Sequence, residues 1–212
     1  MVPVDVPVRT WESLVAAGAE RRFRPGDVLL RQGDPPSHVL LLLSGRIKAL
    51  LTLPDGEVLL LAVRGPGELL GEIAVLGGDG RSATVIAMDR CVARVVAADR
   101  FRALVRATDA ETDLLRRALR RLREGEEWRA ETAALPAGPR VVRALLRLAV
   151  PSGEVGLGQS EIGQAVGLSR GVVAVELGRL RDLGAVSTER GRTVITDLPL
   201  LQSLAASGRG SV

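Results

Sequence analysis

Two short stretches of the sequence hold residue types that can do chemistry. The first is Gly71-Glu72-Ile73-Ala74, followed by Arg81-Ser82-Ala83. A glycine-flanked loop can turn backbone amides toward a phosphate, and the Arg81 guanidinium can grip it with a charge-assisted fork. Ser82 adds a hydroxyl, and Glu72 can accept from a ribose hydroxyl. The same residues allow a plainer reading, in which Glu72 and Arg81 pair with each other and brace an empty domain. The second stretch is Gly167-Leu168-Ser169-Arg170, a turn followed by a helix N-cap. On the helix that follows, Gly171, Ala174, Val175 and Gly178 form an outward strip that is small and uncharged. It cannot make the bidentate contacts to guanine or cytosine that are worth about 1–3 kcal/mol each. It can touch a thymine methyl through Val175, let the backbone approach closely, or bind protein. Arg170, Arg179, Arg190 and Arg192, with the amides after Ser169, can hold phosphates with little sequence information.

No catalytic or metal-binding constellation can be assembled. His38, the only histidine, follows Pro35-Pro36-Ser37 in a loop and reads as a surface residue rather than a base. Cys91, the only cysteine, lies in the strand pattern Cys91-Val92-Ala93-Arg94-Val95, where a buried thiol behaves as a small apolar group. One of each cannot form a disulfide or a zinc, haem or iron–sulfur site of the usual ligand count. The carboxylates show no paired motif.

The composition of the 212 residues, 46% apolar and 25% charged, is that of a globular chain. The longest apolar run, Val58 to Val63, has six residues, against the roughly 20 a membrane helix needs. No basic segment leads into an apolar stretch at the N-terminus, so the expected location is the cytoplasm. Lys48 is the only lysine among 29 basic residues, and the rest are arginine, which suits phosphate and carboxylate. Residues 1–100 balance 12 basic against 12 acidic side chains, 101–135 carry 8 against 7, and 136–212 carry 9 against 6. That distribution is compatible with a nucleic-acid partner and also with an ordinary solvated surface. With only Trp11, Phe23, Phe101 and Trp128 as aromatics, a stacking platform for single strands is excluded.

These residues need elements to position them. From Phe23 to about Arg94, short apolar runs alternate with turns, which predicts an antiparallel roll of about eight strands. Asp55-Gly56 predicts a tight I′ hairpin. Thr108-Asp109-Ala110-Glu111 has the form of a capping box opening a long helix. Along it Leu115, Ala118, Leu122 and Gly125 make a narrow stripe, with Arg116, Arg117, Arg120, Arg121 and Arg123 on the other faces. The stripe suits a dimer seam, or a helix lying on its own roll. Pro136-Ala137-Gly138-Pro139 breaks this helix as a hinge, and Pro139 can start the next. There follow a helix over Gln159–Val166, a turn, a helix over Arg170–Leu183, a Gly191-centred wing from Val186 to Thr196, and a helix over Leu198–Ala206. The expected class is α+β: an N-terminal antiparallel β-roll (jelly roll) over 1–107, a long dimerisation helix over 108–135, and a C-terminal winged helix-turn-helix over 136–212.

Taken in order, these blocks resemble the CRP/FNR superfamily of bacterial transcription regulators. Phe23-Arg24-Pro25-Gly26-Asp27, Gln32-Gly33-Asp34 and Leu43-Ser44-Gly45-Arg46-Ile47 are similar to the opening strands of its cyclic-nucleotide-binding roll. The stretch from Gly71 to Thr84 is similar to its phosphate cassette, and Gly167 to Arg170 with Gly191 to its winged helix. The resemblance implies a cyclic nucleotide or other nucleotide-like effector held by Gly71, Glu72, Ile73, Ala74, Arg81, Ser82 and Ala83, with Glu126 from the long helix. It implies a homodimer through the stripe, and double-stranded DNA as partner of Ser169, Arg170, Gly171, Ala174, Val175, Arg179, Arg190 and Arg192, with RNA polymerase as a further partner. The chain departs from the family at two places. Gly125-Glu126 stand where cAMP-binding members have adjacent Thr and Ser hydroxyls, so cAMP is expected to bind weakly or not at all. Gly171 and Val175 replace a glutamate and an arginine that meet bases in DNA-reading members. A dimeric DNA-binding regulator and a family relic whose winged helix binds a protein are therefore both open, and an enzyme is not expected.

Overall fold

The computed structural model describes residues 6–150, 152–189 and 192–207. The chain divides into two compact units, 1–125 and 126–212, with the boundary inside one long helix. The first unit runs α1 (Val8–Ala17), β1 (Ala19–Phe23), β2 (Val28–Leu30), β3 (His38–Ser44), β4 (Ile47–Thr52), β5 (Val58–Arg64), β6 (Leu69–Leu70), α2 (Glu72–Gly77), β7 (Thr84–Ala87), β8 (Cys91–Ala97) and α3 (Ala98–Ala107). The long helix α4 follows (Glu111–Ala134). Two four-stranded antiparallel sheets, ordered β1-β8-β3-β6 and β2-β7-β4-β5, make the roll.

Strand β3 shows why the roll's apolar runs do not alternate cleanly. Leu40 and Leu42 pack between the sheets with Phe23, Leu30 and Ile47. Val39 and Leu41 point the other way, into a second cluster with Leu14 of α1, Phe101 and Val105 of α3 and Leu114 of α4. Both faces are covered, so the strand reads as a continuous hydrophobic run. The helices α1 and α3, which supply that cover, were not foreseen from the sequence.

Two local expectations are corrected. The β4–β5 hairpin is not a two-residue I′ turn, because Asp55 keeps negative φ and only Gly56 is left-handed, at φ +87°. Instead Gly56 N–H donates to Leu53 O at 2.9 Å and Leu53 N–H to Glu57 O at 2.8 Å, a longer turn closed by a left-handed glycine. Pro54 decides this, since its ring holds φ negative inside the loop. Nor does Thr108 cap the long helix. Its hydroxyl donates back to Leu104 O at 2.9 Å and accepts from Thr10 Oγ1 at 3.1 Å, so it ends α3 and pins α1. Asp109 takes a left-handed φ of +50°, and α4 starts only at Glu111. The hydroxyl had two possible backbone partners, and the turn behind it won.

The second unit contains α5 (Ala137–Leu148), β9 (Glu154–Val155), α6 (Gln159–Val166), α7 (Arg170–Asp182), β10 (Val186–Glu189), β11 (Arg192–Ile195) and α8 (Leu198–Ser207). The three strands pair as β10-β11-β9. Val141 and Leu145 of α5, Ile162 of α6, and Val173, Leu177 and Leu180 of α7 are buried, on the helical spacing that the sequence displays. The helix break is shorter than the Pro136–Pro139 segment suggests. Pro136 is the N-cap of α5 and Pro139 is its third residue, still in the first turn where a missing N–H leaves no bond unmade. The wing's expected tip, Arg190 and Gly191, lies outside the described residues.

Candidate effector cassette and DNA-binding face

The cassette is built around one buried arginine. Gly71, at φ +83°, turns the chain from β6 into the six-residue helix α2, so Glu72, Ile73 and Ala74 lie on a helix rather than in an open glycine loop. Arg81, 4% exposed, donates from Nη1 to Gly71 O at 2.8 Å and from Nη2 to His38 O. A Cβ at Gly71 would collide with Nη1, which together with the positive φ accounts for glycine there. Burial pushes the Arg81 guanidinium below its ordinary value, and Asp34 and Glu72 pull it partly back.

Glu72 does not pair with Arg81, so the plainer of the two readings, in which they brace each other, is not the arrangement formed. Glu72 reaches instead to α4: Arg121 Nη1 lies 2.8 Å and Arg117 Nε 3.5 Å from its Oε1. Glu68 completes the group, with its Oε2 2.7 Å from Arg121 Nη2 and in contact with Arg117 Nη2. Arg117 is 1% exposed, so it and Arg121 do not stand on solvated faces of α4 as their alternation with the leucines suggested. The second oxygen of Glu72, Oε2, is buried without a hydrogen-bond partner among the described residues. Of the remaining residues, Ala74 is buried, Ala83 half-buried, Ile73 and Ser82 exposed, and Glu126 is exposed on the part of α4 that belongs to the second unit.

His38 is a further correction. It opens β3, half-buried, with Nδ1 3.0 Å from Ser37 Oγ and a buried Nε2 that has no partner among the described residues. Burial first, then the charges of Arg81 and Arg21, hold the imidazole below its ordinary 6.5. The unfolded chain takes up a proton near that pH while folded His38 stays neutral. Stability is therefore complete above about pH 6.5 and falls as pH drops below it toward the folded value. Urea midpoints measured across this window should decline on acidification, and His38→Gln should flatten part of that decline. Cys91 is buried in β8 as read from the sequence; burial pushes its thiol up, and Sγ donates to Arg46 O at 3.3 Å.

The stripe on α4 is open. Leu115 and Leu122 are exposed, and so is Leu119 beside the stripe, while Ala118 and Gly125 are half-buried. A charged helix that leaves three leucines uncovered in the isolated chain has an unmet apolar face.

In the second unit, α6, the Gly167 turn at φ +64° and α7 form the helix-turn-helix. Ser169 Oγ accepts from Val172 N–H at 3.4 Å, as expected of an N-cap. Gly171 and Val175 are exposed and Ala174 and Gly178 half-buried. Around them Arg170 Nε lies 3.5 Å from Gln159 Oε1, Arg179 pairs with Glu176 at 3.1 Å and Arg192 with Glu154 at 3.1 Å. Arg190 lies outside the described residues.

Residues 20–108 match the cyclic nucleotide-binding domain family and residues 139–204 the Crp-like helix-turn-helix domain family. Over 194 residues, 88% of each chain, the sequence is 30% identical to the cyclic AMP receptor protein of Thermus thermophilus. The chain belongs to the CRP/FNR family of transcription regulators. This CRP/FNR-family chain is also 31% identical to a CRP-like cAMP-activated global transcriptional regulator of Mycobacterium tuberculosis, over 82% of its own length and 83% of the relative's. A solved structure of a CRP-family transcriptional regulator from Thermus thermophilus superposes with a TM-score of 0.72 at 25% identity, covering 89% of this chain and 97% of that one. The regulator thus carries a cyclic-nucleotide-binding domain and a DNA-binding helix-turn-helix, and no described helix is long and apolar enough to cross a membrane.

Proposed function

We propose that this CRP/FNR-family regulator acts in the cytoplasm as a homodimer on double-stranded DNA, without catalysis of its own. The observation that carries the reading is the helix-turn-helix with its capped second helix, Ser169 to Asp182, bordered by arginines. The uncovered leucines of α4 supply a self-complementary seam, which suits a twofold pair. Two heads related in that way address successive major-groove faces of an approximately palindromic site, from which RNA polymerase is helped or hindered. Selection of genomic fragments on the purified chain, at stated salt and with and without nucleotide pools, tests this. A recovered palindrome supports the reading, and absence of binding even at low salt overturns it. A second reading, a head that binds protein instead of DNA, is favoured by one observation, the 71% exposure of Val175.

Any effector is a nucleotide-like anion other than cAMP. Arg81, 4% exposed, already spends two of its five donors on backbone carbonyls, and one oxygen of Glu72 is held by Arg121, so an entering ligand must reach the buried remaining donors and Glu72 Oε2 or exchange for these bonds. Gly125 and Glu126 offer no hydroxyl to repay the exchange through an adenine. Calorimetric titration with cAMP should show no binding in the micromolar range. A ligand alters DNA affinity only if it binds two arrangements of the heads unequally.

A further inference from the structure

Taking the DNA-binding reading as given, the side chains along α7 assign what it reads. Val175 is 71% exposed, the most open of the large apolar side chains described. Glycines stand two turns apart on either side of it. A Cβ at Gly171 would meet only Ser169 Oγ at 3.9 Å, and one at Gly178 only Arg181 Nη2 at 3.9 Å, so both positions are open space. A backbone bared in this way can approach the floor of a groove closely. Arginines sit at the ends of the helix, Arg170 at its start and Arg179 and Arg181 in its last turn, where they pair with Glu176 at 3.1 Å and Asp182 at 3.5 Å. The centre is therefore apolar, with the Arg170 guanidinium at its N-terminal border in a position to meet a phosphate or a base edge beside it.

Base edges in the major groove present hydrogen-bond donors and acceptors and, on thymine alone among the four bases, a methyl group. Gly171, Ala174, Val175 and Gly178 have no side-chain hydrogen-bonding group; the amides of Ala174, Val175 and Gly178 are bonded within the helix, and the first-turn amide of Gly171 is among those that can hold a phosphate. The only base feature the side chains of this centre can recognise is the methyl. We infer that Val175 is a specificity-determining residue that packs on a thymine 5-methyl, so that the regulator selects thymine by apolar contact and leaves polar readout to Arg170. Protein recognition is the competing outcome of the test.

Random-sequence duplexes are selected on the full-length chain at low salt, and the best duplex is remade with deoxyuridine in place of each thymine in turn. This deletes one methyl and leaves base pairing intact. At one thymine in each half-site the exchange should weaken binding about fourfold, the value of one buried methyl-sized group. Val175→Ala should weaken the thymine duplex to a similar extent and lose the difference between thymine and uracil. At 71% exposure the substitution leaves the fold intact. If the duplex binds but no thymine is sensitive, or Val175→Ala is as sensitive as the parent chain, the inference fails and the DNA-binding reading stands. If a chain shown to be folded by circular dichroism captures no duplex at all, both fail, and the face belongs to a protein partner.

Discussion

Replacing Arg117 by alanine should destabilise the first unit by about 3–5 kcal/mol, the usual result of removing one partner from a buried ion pair. The residue lies 1% exposed, in contact with Glu68 Oε2, 3.5 Å from Glu72 Oε1, and 3.1 Å from the Leu69 carbonyl that Nη2 also serves. Without it two carboxylates share Arg121 alone, and the Glu72 side chain is only 4% exposed. That carboxylate keeps Arg121 at 2.8 Å but loses its second cation in a desolvated place, which raises the cost of its buried charge. The alanine also removes the buried aliphatic stem of Arg117. Arg117→Met separates the two effects, because it keeps most of the stem and drops the charge. Urea unfolding followed by circular dichroism should show the methionine variant losing most of what alanine loses. A methionine variant as stable as the parent would show that the ion cluster contributes nothing. Since Glu68 and Glu72 flank β6 and open α2, loosening them also frees the cassette from α4.

Gly163→Ala should cost the second unit about 1–3 kcal/mol or more, in the range of overpacked cores, and should reduce duplex affinity at least tenfold. Gly163 sits inside α6, where glycine is intrinsically unfavourable by about 1 kcal/mol relative to alanine. A Cβ there would collide with the Leu168 carbonyl oxygen, a backbone atom in the turn between the two helices. The same turn is held by Leu168 N–H donating to Gly163 O at 3.1 Å. No rotamer change can relieve a clash with backbone, so α7 must swing away from α6 and the face that meets DNA moves with it. Gly171→Ala is the control. Its Cβ would enter open space, and the usual propensity gain of about 1 kcal/mol should appear as a higher unfolding midpoint. An alanine at 163 that folds and binds DNA like the parent chain would refute this account of the turn.

Much of this architecture was legible along the chain because it depends on neighbours in sequence. The turn glycines, the 3.6-residue spacing of Ile162, Val173, Leu177 and Leu180, and the Ser169 cap each act within a few residues, and the structure has each of them. Short-range signals failed where one group had two local partners. Thr108 carries a hydroxyl that fits the start of one helix or the end of another, and only the arrival of Thr10 from α1, 98 residues away, shows which is made. The Asp55-Gly56 pair signals a tight hairpin, but Pro54 beside it forces a longer one.

The cassette marks the boundary more sharply. Spacing alone found Glu72 and Arg81 and the chemistry they can do, since residue type sets charge and hydrogen-bonding capacity. It left two readings open, a ligand site or a mutual pair, because the two are close in the chain and opposite in sign. Folding brought each a different partner: Arg121, 49 residues beyond Glu72, and the His38 carbonyl, 43 residues before Arg81. The same packing took Arg117 from an apparently solvated face to the most buried charge described, and moved His38 from a loop into a strand. Residue types and their local spacing were sufficient for the roll's strands, the helix-turn-helix and the uncharged face of α7, which no contact elsewhere in the chain can supply with a donor, but not for α1 and α3. Which ionic groups meet was decided by the approach of β6, α2 and α4, since burial strengthens only those attractions whose partners arrive in the same desolvated space.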